Sequence, residues 1–144
     1  MPDTPAHIIA LADALRPAVL RVSRRLRLEA QKAGLSAQDA MLLGHIRKHP
    51  GIGVSALADH ERTSRPTMSA HVKRLEAAGL VARSGHADDG RRSGLAITPA
   101  GAKMLELIRR ERNDWLAARL ARLPPADREA LESAAPALLR LIDA

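Results

Sequence analysis

The chain has 144 residues, enough for one domain with a real core, and its 46% hydrophobic and 27% charged content is that of a globular protein. Trp115 is the only aromatic residue, so the core must be aliphatic and Met-based, and the aromatic platforms on which RRM and OB surfaces stack bases are excluded. A net charge of +7 and a pI of about 11.1 point to a polyanionic partner.

No apolar run approaches the roughly 20 residues that span a bilayer. No basic, apolar leader opens the sequence, so no membrane partner is expected and the cytoplasm is the expected compartment. Without cysteine there is no disulfide framework, thiolate zinc site or thiol redox switch.

In chain order, Ile8, Leu11, Leu15, Val19, Val22 and Leu26 recur at helical spacing and predict a helix from Ala6 to Ala33 with one apolar stripe. Pro17 either kinks it or starts a second helix. Arg16, Arg21, Arg24, Arg25 and Arg27 decorate the rest, as a solvated face or as flanking phosphate contacts. Gly34 is a natural stop. Ser36 then caps a second helix, with Asp39 as the acid of a capping box and Met41, Leu42 and Ile46 facing inward. His45 and His49 lie four apart on it, but the intervening residues lack a zincin acid and place two cations beside the site. Surface or capping histidines are expected, with no metal or cofactor.

Ile52 to Val54 is expected to be a short strand. Ser55 caps a support helix with Leu57 and Ala58 inward, and His60-Glu61-Arg62-Thr63 makes a turn. Ser64 caps the next helix, with Pro66 in its first turn. Met68, Val72 and Leu75 mark its buried side; His71, beside them, reads as a packing residue. Thr67, Ala70, Lys73 and Arg74 lie opposite, with Ser69 at the edge. Short hydroxyls, a small residue and two long cations suit a major groove, although an amphipathic helix with solvated charges has the same pattern.

Leu80-Val81 and Leu95-Ala96-Ile97-Thr98 then predict two strands joined by a loop carrying Asp89, Arg91 and Arg92. Arginine on a β-loop suits the negative potential of a narrow minor groove. From Arg62 to Arg92 seven cations face three acids, so this stretch carries +4 of the total charge.

Asp89-Gly90-Arg91, running on to Ile97-Thr98-Pro99-Ala100-Gly101, resembles the wing signature of the MarR family of bacterial regulators. Leu57-Ala58, the opening Ser64-Arg65-Pro66-Thr67-Met68-Ser69 and the closing Leu75-Glu76-Ala77-Ala78-Gly79-Leu80-Val81 are similar in order and spacing. The resemblance implies that Arg91 enters the minor groove, that Asp89 helps hold the wing tip, and that Ser64, Arg65, Thr67, Ser69, Ala70, Lys73, Arg74 and Arg92 serve DNA.

After the wing, Thr98 and Pro99 start a long helix with Leu105, Ile108, Arg112 and Trp115 along one side, ended by Pro124-Pro125. A last helix covers about residues 126–142, and Pro136 should bend it. The expected fold is mainly α (α+β). Residues 1–48 hold the N-terminal helices, 49–98 a winged helix-turn-helix lobe, and 99–144 the C-terminal helices.

In the family resembled, the first and last helices interlock two copies into a homodimer. It would place two recognition helices roughly 34 Å apart on the pseudo-palindromic operator of a repressor. A small-molecule effector commonly releases such regulators. Trp115 is the one aromatic residue available to such a ligand, though a large core or dimer-interface residue is the stronger reading. An effector-independent architectural DNA-binding protein is the alternative. An enzyme is not expected, since no G-x-S-x-G, H-E-x-x-H, P-loop or paired-carboxylate arrangement is present.

Overall fold

The computed structural model describes residues 4–84 and 94–143. The elements run α1 (Ala6–Gln31), α2 (Ala37–Lys48), α3 (Val54–His60), α4 (Arg65–Ala77), β1 (Val81–Ser84), β2 (Gly94–Ile97), α5 (Pro99–Leu120) and α6 (Pro125–Asp143). The expected wing-tip residues Asp89, Arg91 and Arg92 lie outside the described residues. The chain divides into two compact units, Met1–Arg112 and Asn113–Ala144.

In the first unit, α1 runs unbroken through Pro17. Its predicted stripe is not covered within the chain: Ile8, Leu11, Val19 and Val22 are exposed, and only Glu29 and Ala30, near the C-terminal end, are buried. Ala30 packs with Ala40 of α2 and Ile108 of α5. Glu29 is buried between two cations, with Arg25 Nη2 at 2.7 Å and Lys32 on its other oxygen. The hydrogen bond from Lys32 is the main reason its pKa lies below the usual carboxylate value; burial opposes this, and the charges of Lys32 and Arg25 reinforce it.

Ser36 caps α2 as expected, its hydroxyl accepting from the Asp39 N–H at 3.1 Å. The buried face differs from the expected one. Met41 is exposed, whereas Asp39, Leu42, Leu43 and Ile46 are buried. Those four follow the i, i+3, i+4, i+7 rule, and Met41 falls off that arc.

The main core joins Leu42, Leu43 and Ile46 of α2 to Leu57 and Ala58 of α3. Met68, Val72 and Leu75 of α4, with Leu80, Val81 and Leu95, complete it. The expected strand at Ile52–Val54 is reduced to one antiparallel bridge, Ile52 to Leu95, because Val54 already begins α3. Gly53, not Ser55, takes the N-cap position, without a side-chain cap.

β1 and β2 pair antiparallel, Val81 opposite Ile97 and Ser84 opposite Gly94. Thr98 closes the β2–α5 junction. Its hydroxyl accepts from the Gly101 N–H at 3.0 Å and donates to the Gly79 carbonyl at 2.6 Å. Gly101 sits where a β-carbon would collide with the Leu80 carbonyl and the Ile97 side chain.

In the second unit, Pro125–Asp143 forms α6, with Pro136 inside it. No described residue of α6 is buried, and Leu131, Leu138, Leu139, Leu141 and Ile142 are exposed, Ile142 by 81%. The Arg119 guanidinium lies over the half-buried Trp115 ring, 5.8 Å from its centroid. Among the described residues, no helix is long and apolar enough to cross a membrane.

Candidate nucleic-acid interface

The α3–α4 pair is a helix-turn-helix because the residues between the two helices force a reversal. His60 ends α3, Glu61 caps it, and Arg62 takes a left-handed φ of 52°, an uncommon conformation for a residue with a β-carbon. Ser64 then caps α4. Its oxygen accepts from the Thr67 N–H at 3.2 Å while its own hydrogen goes to Thr67 Oγ1 at 2.8 Å. Both capacities of the Ser64 hydroxyl are thereby engaged within the first turn, and Thr67 retains its own hydroxyl proton for an outside acceptor.

With Met68, Val72 and Leu75 buried, α4 turns Arg65, Thr67, Ala70, Lys73 and Arg74 to solvent, with Ser69 half-buried at the edge. The sequence singles out these same residues, and all five of the exposed ones stand on α4. Arg74 differs from the others. Its Nη2 donates to Asp39 Oδ1 of α2 at 3.0 Å and contacts His71 Nδ1 at 2.6 Å, yet the side chain remains 56% exposed. His71 Nδ1 also lies 3.4 Å from Asp39 Oδ1, so the ring stands between Arg74 on its own helix and the carboxylate of α2. His71 is therefore a polar strut between helices, where packing alone was expected.

The strand end of the wing is secured separately. Arg83 on β1 donates from Nε to Glu76 of α4 at 2.8 Å, tying the hairpin base to the helix that precedes it.

Sequence reasoning did not single out Asp39 as a partner for Arg74; its capping position was visible, its reach across to α4 was not. It also did not join His60 and Glu61 to His45. In the structure the His45 and His60 rings stand 3.9 Å apart and His45 and His49 4.6 Å apart, beside an open cleft also lined by Lys48, Pro50 and Ala56. Burial, then the neighbouring His60 and His49, lower the His45 pKa below its ordinary value.

A family model described as MarR family matches residues 33–92. The HTH-type transcriptional regulator Mb0904 of Mycobacterium bovis is 35% identical over 133 residues, covering 92% of this chain and 93% of its own. The chain belongs to the MarR family. A transcriptional regulator from Pseudomonas aeruginosa PA01 is 32% identical, with a TM-score of 0.81 over 96% of this chain and 98% of its own.

The same MarR fold recurs in a mutant of MepR from S. aureus, a structure bound to an oligodeoxyribonucleotide. It is 18% identical to this chain, with a TM-score of 0.70 over 92% of this chain and 97% of its own. The protein is thus an HTH-type transcriptional regulator of a DNA-binding, non-enzymatic family, with the mainly helical winged fold expected from its sequence.

Proposed function

We propose that the protein is a homodimeric repressor that reads a pseudo-palindromic operator with α4 in the major groove and Arg91 in the flanking minor groove. The observation that carries this reading is the outer face of α4. Thr67, Ala70 and Lys73 are exposed opposite a fully buried side, on a helix whose N-terminal hydroxyls are fixed by a cap.

In this reading Thr67, Ser69, Ala70, Lys73 and Arg74 face base edges and nearby phosphates. Arg65 and the N-terminus of α4 meet the backbone, and Ser64 acts through the cap. Asp89 steadies the wing tip and Arg92 adds a phosphate contact. The MepR mutant of the same fold is bound to an oligodeoxyribonucleotide, which supports DNA as the ligand of this fold.

The dimer rests on residues 1–48 and 99–144, with 49–98 as the reading lobe. The uncovered apolar faces of α1 and α6 support it, because a monomer would leave Leu11, Leu20, Leu139 and Ile142 in water. Release by a small aromatic or anionic effector stacked against Trp115 completes the reading; such a ligand must bind the DNA-competent and released arrangements unequally.

The test is selection of bound fragments from genomic DNA at fixed salt, followed by titration of the site found. One sharp pseudo-palindrome is expected, and Arg91→Ala should weaken binding to it by roughly 1–3 kcal/mol with the dimer intact. A flat profile, with random DNA competing equally, would instead establish an architectural DNA-binding protein.

A further inference from the structure

From the cluster where α2 meets the turn of the helix-turn-helix, we propose that His45, His60 and Glu61 form a binding site for one divalent transition-metal ion of the zinc type. Their potential ligand atoms all lie within 4.8 Å of one another. Ligand atoms around a tetrahedral zinc-sized ion are about 3.4 Å apart, so the three side chains would rotate inward by up to about 1.4 Å to share it.

The donor set fits the ion. Two imidazoles and one carboxylate are borderline ligands that suit zinc, and they leave a fourth position open, as in three-ligand zinc sites. Water can take that position. Access is direct, because His60 is exposed and His45 and His49 line an open cleft. Glu61 supplies one negative charge, which offsets the Lys48 ammonium on the cleft wall.

The position also gives the ion a structural consequence. His45 lies within α2, whereas His60 ends α3 and Glu61 is its cap, immediately before the left-handed Arg62. A shared metal would fasten the turn that precedes α4 to the helix behind it. Binding to the folded chain alone would raise its thermal stability with metal concentration. Neither effect depends on which DNA the protein reads.

The experiment uses the full chain after chelator treatment. Co2+ is titrated while visible absorption is followed, and Zn2+ is measured by calorimetry and by competition with a chromophoric chelator. One ion per chain is expected, with cobalt bands of a low-coordinate site and a rise in melting temperature. His60→Ala, and separately His60→Asn, should weaken binding by about tenfold or more while circular dichroism stays unchanged, since one of three ligands is lost from an exposed position. His7→Asn, a histidine on α1 remote in sequence, should leave binding as it was. Absence of stoichiometric binding, or binding that survives both His60 variants, would overturn the site.

Discussion

At the scale of single residues, two helical glycines should respond oppositely to the same substitution. Gly44 in α2 has open space where a β-carbon would go. Gly44→Ala should therefore stabilise by about 0.5–1 kcal/mol, by restricting the unfolded chain and favouring helix. At Gly101 the added carbon meets the Leu80 carbonyl, so Gly101→Ala should destabilise by roughly 1–3 kcal/mol. Urea unfolding midpoints of the two variants check both signs. Glu29 gives a pH prediction. Its folded pKa lies below the ordinary 4.5, so its contribution to stability is complete above that value and is lost as pH falls from there through the lowered one. Glu29→Gln should flatten this part of the stability–pH curve and leave the slope above about pH 6 unchanged.

At the scale of elements, α4 depends on its first turn. Ser64→Ala removes the acceptor for the Thr67 N–H and should cost about 0.5–2 kcal/mol of stability, measured by thermal or denaturant unfolding. This cap was legible in the sequence because its signals lie close together: Ser64, Pro66 in the first turn, and the stripe that Met68 opens and Val72 and Leu75 continue. The Thr98 cap before α5 was legible for the same reason. What could not be read were pairings between elements. Arg74 finds Asp39 across 35 positions, and His60 finds His45 by the packing of α3 against α2. Neither leaves a local period, since one contact between helices imposes no repeat on either. Met41 and Leu43 are apolar neighbours on one helix, and the arc that selects Leu43 begins at Asp39, a charged residue whose burial goes with its pairing to Arg74 of α4. Ile52 reads as a strand by composition, but Gly51 and the early start of α3 leave room for a single bridge.

At the scale of the whole molecule, the apolar residues left in water set the expected assembly. Leu139→Glu together with Ile142→Glu on α6 should shift the protein toward monomer in sedimentation experiments, because both side chains are exposed in the single chain and would become buried charges in a dimer. A mass unchanged from the parent across concentration would remove α6 from the interface. The Asp39–Arg74 pair carries a consequence for how such a regulator diversifies. The long cation on the outer face of α4 is oriented by a residue of α2, 35 positions upstream, and that residue is itself buried. A change at position 39 would let the guanidinium swing without altering the recognition helix itself. On the proposed reading of α4, base preference would then shift through substitutions that a comparison of α4 sequences would pass over.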